Sequence, residues 1–118
     1  MVVRGRAPKQ GEIIWLDFDP QAGREQAGRR PALVISRSAY NARILRASVC
    51  PITSRVKGYP FEISIHTKTV QGVALIDQLK NIDWVARKAL CTGEIVPRTT
   101  LEQAQILLES MLKIGEEI

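Results

Sequence analysis

The sequence has few of the side chains on which most enzymes rely. Its 118 residues contain one histidine, His66, and two cysteines, Cys50 and Cys91. A ribonuclease built on a pair of histidines is therefore excluded. Two cysteines and one histidine without ligand-like spacing argue against a structural zinc site. They also cannot build a dense disulfide framework, and both cysteines stand in apolar stretches, so they are expected as buried free thiols of a cytoplasmic protein. No apolar run approaches the roughly 18 residues of a membrane span. The first ten residues carry charge but no apolar core of a signal peptide, so no secretion is expected. The glycine-rich phosphate loop, the dinucleotide fingerprint and the nucleophile elbow are all missing. Asp17 and Asp19 stand alone beside a turn and are read as structural rather than as metal ligands. No metal and no cofactor are expected.

What is present fits one compact domain: 45% apolar and 25% charged residues, near globular averages. The net charge is +5, and it is unevenly spread. Residues 1–60 carry eleven Lys/Arg against four Asp/Glu, and residues 61–118 carry six against eight. A basic half on a small domain suits an anionic partner such as nucleic acid, although it also serves solubility.

Short strands dominate the pattern. Residues 12–18 (EIIWLDF) read as a first strand, stopped by the turn signal Asp19-Pro20. A polar, glycine-punctuated loop is predicted over 20–31, long enough to suggest function. Apolar residues 31–35 form a second strand, followed by a helical turn over 36–42 capped by Ser36 or Ser38 and closed at Asn41. A third strand spans 44–52 and a polar loop 53–58. Phe61, Ile63 and Ile65 alternate with Glu62, Ser64 and His66, which predicts a strand with one buried face and His66 exposed. Residues 72–76 form a short buried strand, and 85–95 hold at least one more. Thr99 and Glu102 fit a capping box, and Leu101, Ala104, Leu108, Met111 and Leu112 recur at helical spacing up to Gly115. Many short strands and one terminal helix predict a mainly β protein with α: a small barrel or strongly curved sheet with the helix packed on it.

With histidine and metal chemistry set aside, arginine, hydroxyls and amides remain. Arg24, Glu25, Gln26, Arg29 and Arg30 crowd the first loop; Thr53, Ser54, Arg55 and Lys57 follow the third strand; Gln78 and Lys80 follow the buried strand at 72–76. Such groups hold phosphates and read unpaired bases. A guanidinium clamps a phosphate and neutralises charge building on it. On RNA the nucleophile need not come from the protein, because the 2′-hydroxyl can attack the adjacent phosphorus. Taken singly, each of these residues is equally an ordinary solvated loop or strand-end residue.

Together, ordered blocks of sequence are more specific. GEIIWLDFDP at 11–20, GREQAGRRPALVIS at 23–36, PITS at 51–54, KGYPFE at 57–62 and GVALIDQ at 72–78 resemble the MazF/PemK family of toxin endoribonucleases, closer to MazF than to the PemK/Kid branch. The likeness runs over about residues 10–112 of what is read as one domain. It implies an SH3-like β-barrel with a C-terminal amphipathic helix, assembled as a homodimer. It implies metal-independent, sequence-specific cleavage of single-stranded RNA by 2′-hydroxyl attack, leaving a 2′,3′-cyclic phosphate and a 5′-hydroxyl, at a site containing adenine and cytosine. By resemblance Arg30 and Thr53 are catalytic. Glu25 is the loop acid, and the identity of the proton acceptor stays open. RNA contacts fall to Phe18, Arg24, Gln26, Arg29, Ser54, Lys57, Tyr59, Asp77, Gln78 and Lys80, with core packing an equal reading for both aromatics. The implied partner is an antitoxin whose acidic, disordered C-terminal segment folds along the toxin. Two alternatives stay open: a non-catalytic SH3-like RNA-binding module, and a gyrase poison of the CcdB type. The latter relies on a C-terminal aromatic, whereas the tryptophans here lie at 15 and 84.

Overall fold

The computed structural model describes residues 6–17 and 28–115. Among the described residues, seven strands and two α-helices follow in the order β1 (Glu12–Asp17), β2 (Arg29–Val34), α1 (Ser38–Ile44), β3 (Ala47–Thr53), β4 (Glu62–His66), β5 (Gln71–Leu75), β6 (Lys80–Ile82), β7 (Leu90–Ile95) and α2 (Arg98–Leu112), with a 3₁₀ turn at Ile76–Gln78. Every pairing is antiparallel, in the order β4-β5-β3-β2-β1-β7, and β6 pairs with β3. The sheet curls because β3 serves two partners in succession. Its first half pairs with β6 (Ala47 opposite Ile82) and its last two residues pair with β5 (Thr53 opposite Val73). The predicted small barrel is thus a curled half-barrel with the C-terminal helix against it.

Both faces of the central strands are covered, which explains why residues 13–16 and 32–35 read as unbroken apolar runs. Ile13, Leu33, Cys50 and Ile52 pack into one cluster with Ile63, Ile65, Ala74 and Ala104, and Leu101, Leu107 and Leu108 of α2 lie against it. The alternate residues Ile14, Leu16, Ala32, Val34 and Val49 pack into a second cluster around Trp84. Cys50 lies in the first cluster, and burial pushes its thiol up to about 12, with the Asp77 carboxylate adding to the effect.

Several expectations change. β2 starts at Arg29, so Arg29 and Arg30 are strand residues: the register sets Arg30 opposite Leu16 and Arg29 opposite Asp17. β6 was not foreseen, because three residues, KNI, carry no periodicity. Helix α1 continues to Ile44, and Leu45 takes the left-handed cap conformation (φ 63°). Asn41 does not close the helix; it is buried, and its amide donates to the carbonyls of Pro8 (2.9 Å) and Ser36 (3.2 Å). Ser36 and Ser38 make no cap bond; their hydroxyls instead accept the N–H groups of Ser48 (2.9 Å) and Gln10 (3.3 Å). Helix α2 begins one residue before Thr99, and Glu102 pairs with Arg98 at 3.2 Å instead of closing a capping box. Met111 and Leu112 share the helix face of Leu101, Ala104 and Leu108 by their spacing, but they are 41% and 64% exposed in the single chain.

Candidate active site

The register between β2 and β3 builds the site. Ala32 pairs with Pro51 and Leu33 with Cys50. Continued by two residues, the same register sets Arg30 opposite Thr53. Both side chains line a groove of about 320 Å3 whose other walls are Trp15, Pro31, Ile52, Ser54, Thr69, Val70 and Gln71. Arg30 is exposed and Thr53 half-buried, so a guanidinium and a hydroxyl face a space open to solvent.

Local constraints hold the Thr53 end. Its Oγ1 accepts the N–H of Arg55 at 3.1 Å, so the hydroxyl is turned back over the start of the next loop. Gly72 on β5 presses against the same residue: a Cβ at Gly72 would lie 2.2 Å from the Thr53 carbonyl oxygen. Only a glycine lets β5 approach β3 that closely. Across the groove, the Thr69 hydroxyl donates to Glu94 on β7 at 2.8 Å. The hydroxyls of Thr67 and Thr69 hold the Glu94 carboxyl below its ordinary range.

The remaining residues named from sequence fall into separate places. Ser54 is in the groove wall with Thr53. Arg29, the neighbour of Arg30, is not. Its guanidinium donates to the backbone carbonyls of Trp15 (2.9 Å) and Lys88 and lies 3.6 Å from the Asp17 carboxylate. Those bonds tie β2 to β1 and to the turn before β7, so the Arg29 guanidinium is engaged with the sheet while Arg30 faces the groove. Lys57, Tyr59, Asp77 and Gln78 form a second group. Tyr59 donates its hydroxyl to Asp77 at 2.8 Å, its ring centroid is 5.9 Å from that of Phe61, and Gln78 is exposed beside them in the 3₁₀ turn. Lys80 sits in β6 opposite Val49, four residues along β3 from Thr53, or about 13 Å at the usual rise. Phe18, Arg24, Glu25 and Gln26 lie outside the described residues. Trp15, Thr69 and Gln71 were missed: Trp15 reads as a strand marker, and Thr69 and Gln71 sit in a hairpin with no local signal of function. Among the described residues no three His, Cys, Asp or Glu side chains converge as metal ligands, and no helix is long and apolar enough to cross a membrane.

With this geometry in place, similarity to known proteins is informative. Residues 9–112 match the family model described as PemK-like, MazF-like toxin of type II toxin–antitoxin system. The endoribonuclease toxin MazF of Escherichia coli K12 is 47% identical over 90 residues, covering 76% of this chain and 81% of the relative. Endoribonuclease PemK of Escherichia coli is 33% identical over 119 residues, covering 95% and 87%. Among solved structures, MazF from Deinococcus radiodurans superposes with a TM-score of 0.79 at 44% identity over 92% of this chain and 98% of that one. The MazE–MazF complex from the same organism (Form-III) gives 0.81 at 42% identity over 92% and 99%. The match over nearly the whole chain, in both sequence and fold, establishes that the chain belongs to the PemK-like, MazF-like toxin family of type II toxin–antitoxin systems.

Proposed function

We propose that this protein is an endoribonuclease toxin that cuts single-stranded RNA in the cytoplasm without a metal ion and so stops translation. The observation that carries the reading is the open groove lined by both Arg30 and Thr53 in a chain of this family. The names of its relatives, endoribonuclease MazF and PemK, agree with it. The ribose 2′-hydroxyl attacks the adjacent phosphorus, the P–O5′ bond breaks, and the products are a 2′,3′-cyclic phosphate and a 5′-hydroxyl. Arginine stays protonated throughout the physiological range, so Arg30 acts as a cation against the charge of the pentavalent transition state and as a hydrogen-bond donor to the leaving 5′-oxygen, which takes its proton from solvent. Thr53 hydrogen-bonds the phosphate or the 2′-hydroxyl and fixes their alignment. Glu25 is the candidate acceptor for the 2′-hydroxyl proton. Trp15 offers a ring for base stacking at the groove wall, and Gln71 an amide for a base edge.

The partner is an antitoxin of the MazE kind; solved relatives include MazE–MazF complexes. An acidic segment of that partner suits the cationic half of the chain, and since RNA needs the same surface, inhibition is competitive. The toxin functions as a homodimer. The test is cleavage of a long synthetic RNA in EDTA. Wild-type protein yields discrete fragments with 5′-hydroxyl ends, and Arg30→Ala lowers kcat by at least about a hundredfold while RNA binding survives in part. A 2′-deoxy substitution at the cut position blocks the reaction. Bound but uncut RNA, or cleavage of the deoxy substrate, refutes the mechanism.

A further inference from the structure

We infer that Glu62, a residue outside the groove, is a positioning residue for base selection: its carboxylate holds the loop that presents Tyr59 to the RNA. The assignment rests on the ribonuclease reading above. Three consecutive backbone N–H groups converge on this one side chain. Lys57 donates to Oε2 at 3.0 Å, and Gly58 and Tyr59 donate to Oε1 at 3.0 and 3.2 Å. The contact is reciprocal, since the Glu62 N–H donates to the Tyr59 carbonyl at 3.0 Å. Gly58 takes φ +77° with open space around it, which lets the chain turn so that all three amides point inward.

The restraint continues to the side chain. The Tyr59 hydroxyl donates to Asp77 at 2.8 Å, and its ring is tilted 43° against Phe61. Tyr59 nonetheless remains 47% exposed. An exposed tyrosine ordinarily samples several rotamers; here backbone and hydroxyl are held and the ring lies beside Phe61, while about half of the residue stays open to solvent. Hydrogen bonds in so exposed a place add little to folding stability. Their effect is preorganisation, which removes the ordering cost that a stacking partner would otherwise meet. The location fits. The loop starts at Thr53, and Tyr59 is anchored at Asp77, four residues along the chain from Val73, the residue paired with Thr53. A base stacked there flanks the scissile phosphate instead of touching it. Asp77 then acts through Tyr59 and not by contact with RNA.

The test is kcat/KM on a preferred RNA and on single-base variants of it, with hydrogen exchange of the 57–59 amides as the structural readout. In Glu62→Ala the three amides exchange faster and the preferred-to-variant ratio falls about tenfold, through KM, with kcat changed less than about threefold. Glu62→Gln keeps one acceptor oxygen and gives an intermediate loss, which guards against a folding defect in the alanine variant. Lys57→Ala, by contrast, weakens all substrates alike, as a phosphate contact does. Unchanged selectivity in both Glu62 variants, with wild-type protein cutting selectively, overturns the assignment alone. A wild-type protein that leaves every RNA intact overturns the ribonuclease reading and the assignment with it. A lowered melting temperature with selectivity retained marks Glu62 as structural and also overturns it.

Discussion

At the scale of single residues, the most constrained carboxylate is not in the groove. Glu12 opens β1 fully buried. Its oxygens are held by Arg6 (2.7 and 3.2 Å) and by the backbone N–H groups of Lys9 (2.9 Å) and Gly93 (2.8 Å). Burial on its own would raise this carboxyl; the Arg6 bond and the two amides outweigh burial and keep it below its ordinary value. A carboxyl depressed in the folded state adds stability at pH above its unfolded value, and that stability is lost as pH falls through the folded value. Chemical denaturation followed across the acid range is therefore expected to show a stability drop in wild-type protein that is flatter in Glu12→Gln. At neutral pH the variant is expected to lose about 1–3 kcal/mol, since Arg6 and two amides lose a charged acceptor. Equal acid sensitivity in both proteins refutes this. Strand propensity places Glu12 at the start of β1 but says nothing of its partners, of which Arg6 and Lys9 are near in sequence and Gly93 lies far along the chain.

At the scale of elements, Gly72 shows how a strand junction constrains Thr53 at the edge of the groove. β5 meets β3 only at the last two residues of β3, Ile52 and Thr53, and that contact exists because Gly72 has no side chain to strike the Thr53 carbonyl. Gly72→Ala is expected to cost about 2 kcal/mol through local overpacking and to depress cleavage by displacing Thr53. Denaturant midpoints and kcat measured on the same variant check both effects; full activity refutes the second. The elements most legible in sequence were those with strong local patterns: β4, with its strict alternation, and α2, with its helical spacing. β2 and β6 were less so. Arg29 and Arg30 look like loop residues because nothing local reveals that β1 and β3 supply them with partners, and Lys80–Ile82 is a strand only because the first half of β3 lies beside it. The capping box at Thr99 failed for a related reason: Pro97 begins the helical turn first, and its side chain can make no cap bond.

At the scale of the whole molecule, residues 1–60 carry a surplus of cations, which on the proposed function is expected to meet the RNA backbone. Binding of an uncleavable single-stranded oligonucleotide is expected to weaken with salt. The slope of log affinity against log salt should be about −0.7 per neutralised phosphate, and Lys57→Ala should make it shallower by about that amount. A flat titration argues against phosphate contact. Ile106, Met111 and Leu112 leave apolar surface exposed on α2. Light scattering on the purified protein is expected to give twice the chain mass, and a monomer at micromolar concentration refutes the homodimer.

Composition and pattern alone narrowed the chemistry that the side chains of this sequence can supply. The single histidine and two cysteines removed histidine-pair and zinc chemistry, the alternation and spacing placed most strands and the last helix, and the ordered motif blocks pointed to the family. These are local properties, carried by residue type and short-range period. Three matters depended on the tertiary structure: that Arg30 and Thr53 share a groove with Thr69 and Gln71, that Arg30 faces this groove while the adjacent Arg29 bonds to the backbone around β1 and β7, and that Glu62 gathers three amides beneath Tyr59. Each depends on pairing register and on close approach between segments, and these are settled by the packing of the sheet as a whole, which no stretch of sequence specifies by itself.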